Sequence, residues 1–260
     1  RTPVAVAASI TAAIFVAAGG AFAASTSPAP TASALFSFAD PAIAESSGLA
    51  SSAYDEDVFT HNDSGDSARF FKVDREGKTV AVYTLRGATN VDWEDMATGT
   101  DVSGQPVLYF GDIGDNTGTR KEIDVYEVPE PDGPSGDVSW VRYRFSYPDG
   151  AHDAEALLVD PRSHQIFVAT KSLLGGELYA APVNPVETAV NVLTPVRTVP
   201  PLVTSGDFSP DGSRIVLLTY LNAYWAIGVR GQLHAFAVPL QRQNEAIAVV
   251  SDGSAVIVGS

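Results

Sequence analysis

Ser47-Gly48-Leu49-Ala50, Glu94-Asp95-Met96-Ala97, Glu155-Ala156-Leu157-Leu158, Gly206-Asp207-Phe208-Ser209 and Glu245-Ala246-Ile247-Ala248 echo one another along the chain, their first residues 47, 61, 51 and 39 positions apart. These intervals are too long for a helical or hairpin repeat. Each stretch precedes a turn and then a β-branched or aromatic run such as Val58-Phe59-Thr60 or Ile215-Val216-Leu217-Leu218. A loose period with several short strands per repeat marks a β-propeller. Five repeats predict an all-β, five-bladed propeller with almost no helix, because no long stretch carries a 3.6-residue apolar period.

The strands of each repeat are separated by turn residues. Arg75-Glu76-Gly77-Lys78 divides two strands of the first repeat, and Ser209-Pro210-Asp211-Gly212-Ser213 closes a tight hairpin in the fourth. Asp-Gly suits such turns because they need positive φ angles. The fifth repeat stops after Val256-Ile257-Val258 and lacks its third strand, so the last blade is expected to be incomplete at the C-terminus. Ala34 to Ala39 alternates like a strand and has no repeat of its own. It is therefore expected to close the last blade as its outer strand, which would cover an edge otherwise open to pairing.

Ahead of these repeats lies different material. Residues 1–24 are expected to be a signal peptide: an Ala/Val/Ile run from Val4 follows Arg1 and ends in Ala21-Phe22-Ala23, a small-x-small pattern. Residues 25–33 form a Ser/Thr/Pro/Ala linker too poor in bulky apolar groups to pack. Residues 34–260 are left for the propeller. The chain is therefore expected to be secreted, extracellular or at the cell surface, and monomeric, with no membrane insertion of the mature domain.

The 260 residues include 31 acidic and 16 basic ones, giving a net charge of −15. Such a surface repels nucleic acid and anionic lipid and attracts multivalent cations. With no cysteine present, stability must come from the packed core or from a bound ion rather than from disulfides.

In each repeat the first two strands form an antiparallel hairpin. The start of the first strand then lies beside the end of the second, away from their turn. Two sets of residues should consequently meet at one mouth of the propeller. Asp92, Glu94, Asp95, His152, Asp153, Glu155, Asp207 and Glu245 begin inner strands; His61-Asn62-Asp63-Ser64-Gly65-Asp66, Gly111-Asp112-Ile113-Gly114-Asp115-Asn116, Lys171 and Tyr220 follow second strands. Crowded carboxylates repel, by roughly 4 kcal/mol for a pair about 4 Å apart at an effective dielectric of 20. Oxygen-rich sites relieve this by holding hard ions, calcium above all. The candidate metal ligands are Asp63, Asp66, Glu94, Asp95, Asp112, Asp115, Asn116, Glu155, Asp207 and Glu245. Asp, Asn and Gly also form ordinary turns, so the two Asp/Asn/Gly loops carry both readings. Zinc spacing, a Gly-x-Ser-x-Gly elbow and a phosphate loop are absent from the sequence.

Taken together, His61 to Asp66, Asp92-Trp93-Glu94-Asp95-Met96-Ala97, Gly111 to Asn116 and His152-Asp153-Ala154-Glu155-Ala156-Leu157 resemble a family of exported bacterial propellers. That family is related to the esterase-like, phytase-like propeller group. The resemblance implies the fold and a calcium-binding mouth, and the group includes calcium-dependent phosphate-ester hydrolases. Few Lys or Arg reach the expected mouth, which departs from phosphate recognition. Two functions follow as expectations. One is a metal-assisted esterase or phosphoesterase acting on a small extracellular ester, with His152 as base, Glu155 as a catalytic carboxylate and Lys171 stabilising charge. The other is a non-catalytic module for an extracellular ligand or scaffold, since the fold hosts both.

Overall fold

The computed structural model describes residues 11–16, 32–239 and 241–260. It is built from β-strands, and among the described residues there is no helix. In chain order the strands are β1 (Thr11–Val16), β2 (Ala32–Ser37), β3 (Ser46–Ser51), β4 (Val58–Asn62), β5 (Arg69–Val73), β6 (Thr79–Thr84), β7 (Trp93–Thr100) and β8 (Pro106–Asp112). They continue as β9 (Ile123–Pro129), β10 (Gly136–Asp137), β11 (Val141–Ser146), β12 (Ala154–Val159), β13 (Ile166–Thr170), β14 (Gly176–Ala180), β15 (Val190–Val192) and β16 (Thr194–Val199). The last are β17 (Val203–Phe208), β18 (Arg214–Thr219), β19 (Asn222–Ile227), β20 (His234–Ala237), β21 (Ala246–Val249) and β22 (Ala255–Gly259).

Four sheets are propeller blades of near-consecutive antiparallel strands, led by β3, β7, β12 and β17. A further sheet, in the order β2-β1-β22-β21, joins the two ends of the chain. Its outer strand is β2, which starts at Ala32, two residues earlier than the sequence reading. Most of the expected leader and linker lies outside the described residues. Thr11–Val16, within that leader, pairs with both β2 and β22 and so stands between them in this sheet. Ile14, Phe15 and Val16 favour a strand, and a leader asks for the same apolar character.

The leading strands close a ring: β3 packs on β7, β7 on β12, β12 on β17, β17 on β21, and β21 back on β3. Short strands also clasp neighbouring blades at the rim, β10 pairing in parallel with β6 and β15 with β11. Apolar side chains fill the spaces between sheets. Phe59, Phe70, Tyr83, Trp93, Phe110 and Tyr126 form one such layer, with Trp93 stacked on Phe110 at 5.1 Å. Full burial of each such side chain contributes about 1.5–3 kcal/mol, which accounts for a fold without disulfides.

Two buried carboxylates bind the ring around the channel. Asp95 on β7 accepts from Leu157 N (2.9 Å) on β12 and from Ser205 Oγ (2.9 Å) and Gly206 N (3.1 Å) on β17. Asp207 accepts from Val249 N (2.8 Å) on β21, and Ser205 Oγ accepts from Ile247 N (3.0 Å). Inner strands of neighbouring blades are not hydrogen-bonded as a sheet, so these side chains satisfy backbone donors that would otherwise be stranded.

Candidate metal and ligand site

The hairpins at the ring share one irregularity. The pairing of β3 with β4 slips between Ser46 and Gly48, that of β7 with β8 between Trp93 and Asp95, that of β12 with β13 between Ala154 and Ala156, and that of β17 with β18 between Val203 and Ser205. Each slip leaves one residue over: Ser47, Glu94, Glu155 and Thr204. A bulge of this kind re-aims a side chain, and here it falls at the mouth end of the inner strand in four blades. Ser47, Glu94 and Glu155 accordingly line a cavity of about 390 Å³ at the mouth. Glu245, just ahead of β21, joins them there.

Five carboxylates meet on one wall. Oxygens of Asp63, Asp92 and Glu94 lie within 4.8 Å of one another, as do those of Glu94, Asp153 and Glu155. Glu94 belongs to both groups. It is buried, and among the described residues no protein donor reaches its carboxylate. Burial, then the charges of Glu155, Asp63, Asp92 and Asp153, push its pKa far above the usual carboxylate range. Gly114 makes room for the cluster, since a Cβ there would collide with the carboxylates of Glu94 and Asp92.

Positive charge stands directly beside this cluster. Lys171 Nζ pairs with Glu155 Oε1 and sits over the Tyr220 ring, 5.2 Å from its centroid. Burial alone would lower the Lys171 pKa, but Glu155 more than reverses this and keeps it cationic. Burial raises the Glu155 pKa against the pull of Lys171. Glu245, half-buried, is pushed up to about 7 by partial desolvation, with Lys171 opposing the shift. Arg242 and Gln243 complete this side of the cavity.

Of the expected ligands, the structure brings Asp63, Glu94, Asn116, Glu155 and Glu245 to the cavity, with Lys171. The others are committed elsewhere. Asp66 accepts from Asn62 Nδ2 (2.7 Å) and Arg69 Nε (2.9 Å), fastening its loop. Asp112 is paired with Arg120 Nη1 (2.8 Å) and accepts from Val91 N and Asp92 N (both 3.1 Å). Asp115 accepts from Arg120 N at 2.7 Å. Asp95 and Asp207 are the ring ties described above, and burial raises the pKa of both, that of Asp207 to about 7.

His152 departs most from its expected role as base. It does not line the cavity; its ring packs between Tyr147 and Tyr179, with Nε2 3.0 Å from Asp149 Oδ1. His61 is fully buried against Trp93 and Phe110, and burial depresses its pKa, so it is a neutral core residue. The site also contains Asp92 and Asp153, which sequence reasoning placed at the mouth without making them ligands. Both immediately precede an inner strand, and that position was the available signal.

Neither a protein-family model nor a curated protein matches the chain. Among solved structures it is similar to the nidogen/laminin complex, with TM-score 0.50 and 15% identity, covering 92% of this chain and 81% of that chain. It is also similar to a putative 6-phosphogluconolactonase from Bacteroides uniformis (TM-score 0.42, 17% identity, 96% of this chain and 75% of that one). A third is the XC5397 gluconolactonase of Xanthomonas campestris (TM-score 0.44, 14% identity, 83% and 85%). At such identities the likeness to the nidogen/laminin complex bears on the fold alone. The chain is an all-β propeller with a carboxylate-lined mouth, and its chemistry has to be argued from that mouth.

Proposed function

We propose that the mouth binds calcium through Asp63, Asp92, Glu94, Asp153 and Glu155, and that the adjoining cavity takes a small extracellular ester. The observation that carries this reading is Glu94: a buried carboxylate with no protein donor among the described residues, set among four others. Carboxylates crowded in this way are stable either protonated or around a cation. An all-oxygen donor set with room for further ligands suits calcium better than a transition metal.

A calcium ion bound there would polarise an ester oxygen and lower the pKa of a bound water. The chain's own residues supply the rest. Lys171, held by Glu155 and Tyr220, faces the cavity as a fixed positive charge for an oxygen that becomes negative as the ester carbonyl is attacked. Glu245 is placed to accept the proton of the attacking water, its raised pKa matching proton transfer near neutrality. Only Lys171 and Arg242 among the cavity residues are cationic, which favours a carboxylic ester over a phosphate ester.

The position of His152 favours a second reading, in which the same mouth binds its ligand without turnover. A panel of carboxylic, phosphate and lactone esters, assayed in calcium and in chelator, separates the two. Calcium-dependent hydrolysis that falls about 100-fold or more in Lys171→Met is the expected result. Calcium-dependent ligand binding with no hydrolysis would leave the binding module.

A further inference from the structure

One side of the mouth is apolar. Leu173, Leu174 and Leu221 expose 77%, 96% and 68% of their surfaces, while Pro201 is exposed and Leu202 half-buried. All five stand at the mouth end of their blades. Thr170, just ahead of the Leu173 loop, pairs with Ala154, and Thr219, just ahead of the Leu221 loop, pairs with Val203; these are the ends that carry the Glu155 and Thr204 bulges. Val199, just ahead of the Pro201-Leu202 turn, pairs with Gly176 at the same end.

The leucine loops directly follow residues that line the cavity. Leu173 lies two residues from Lys171, and Leu221 follows Tyr220, both of which line it. The ledge is also built rather than incidental. Leu202 N donates to Ser172 O at 3.0 Å, and Leu202 holds this bond in a left-handed conformation, φ 57°, that leucine rarely adopts. Across the cavity the rim is polar, with Asp63, Ser64, Gly65, Asn116 and Thr117. Exposed apolar surface gathered beside a charged pocket marks a recognition surface.

We infer that the ligand is an aliphatic carboxylic ester, with its ester group in the cavity and its alkyl or acyl chain along the ledge of Leu173, Leu174, Pro201, Leu202 and Leu221. This rests on the reading of the mouth as a calcium-assisted ester site and names its substrate class. The net charge of −15 and the carboxylates of the mouth oppose a second occupant for these leucines, an anionic lipid surface.

The test is calorimetric binding of linear alkanoates from propanoate to decanoate, as product analogues, to the protein in calcium. A fully buried methylene is worth about fourfold in affinity, and a ledge covers one side of the chain. About twofold per methylene is therefore expected, or roughly 100-fold across the series. The double variant Leu173→Ser, Leu174→Ser, at exposed positions where folding is not at risk, should flatten the series to within about threefold. It should leave the calcium-induced rise in melting temperature unchanged. A flat series in the unaltered protein, a slope retained by the double variant, or absence of alkanoate binding would overturn the inference. So would leucine-dependent pelleting with phosphatidylcholine vesicles in place of alkanoate binding. A calcium-induced rise without chain-length dependence would remove the ester chain and leave the cation site standing; loss of the calcium response would instead count against the mouth as a cation site.

Discussion

Replacing Glu94 with Gln should stabilise the protein in chelator and weaken its response to calcium. An ordinary glutamate has a pKa near 4.5, whereas folded Glu94 is raised above neutrality by burial and by Glu155, Asp63, Asp92 and Asp153. Between those two values the folded state holds a proton that the unfolded state has released, so stability falls as pH rises, by about 1.4 kcal/mol per pH unit. From pH 4.5 to pH 7 the loss is about 3 kcal/mol. Glutamine has no proton to hold, so the variant should gain up to about 3 kcal/mol at pH 7, or roughly 6–12 °C in a domain of this size. The electrostatics agree in scale, since charges within 4.8 Å of one another repel by at least about 3.5 kcal/mol at an effective dielectric of 20. Thermal melts of both proteins in chelator, at pH 5 and pH 8, provide the measurement. The gap between them should widen with pH. A Glu94→Gln protein that is less stable in chelator, or a gap independent of pH, would refute the reasoning.

Other expectations follow from the same geometry. Asp95→Ala strands the donors of Leu157, Ser205 and Gly206 in the channel wall and should cost about 3 kcal/mol or more in urea unfolding, with calcium present or absent. Gly114→Ala presses a methyl group into the Glu94 and Asp92 carboxylates and should reduce calcium affinity at least tenfold in a titration while far-ultraviolet circular dichroism stays unchanged. Lys171→Met leaves Glu155 buried without its cation, so the variant in chelator should lose stability as pH rises through neutrality more steeply than the parent protein does.

Much of the fold could be read from the five echoes because they reflect one physical device, an inner strand that begins at the mouth. Glu94, Glu155 and Glu245 were found at the correct end for that reason. The fourth echo was misaligned by two residues. Gly206-Asp207 imitates Glu94-Asp95 in composition, but the bulge falls at Thr204, so Asp207 lies deeper in the wall, where it accepts from Val249 N. Composition shows an acidic residue at an inner strand and cannot show whether a backbone amide of the next blade already occupies it. Asp95 was misread as a ligand for the same reason. The direction of His152 is decided by Asp149, Tyr147 and Tyr179, from a loop and a strand up to 27 residues away, and no local pattern encodes that. The Ala/Val/Ile run around Thr11–Val16 satisfies the requirements of a leader and of a strand equally well.

The central claim, that Glu94 and its four neighbours hold a calcium ion, is tested most directly by calorimetric titration of calcium into the chelator-stripped protein. The same titration is run on Glu94→Gln. The parent protein should show saturable binding, proton release as the raised carboxylates ionise, and a rise in melting temperature that grows with calcium. At about 100 times the dissociation constant that rise corresponds to roughly 2.7 kcal/mol. The variant should bind at least tenfold more weakly. A parent protein that takes up no calcium at millimolar concentration, or a Glu94→Gln variant that binds it equally well, would contradict the claim.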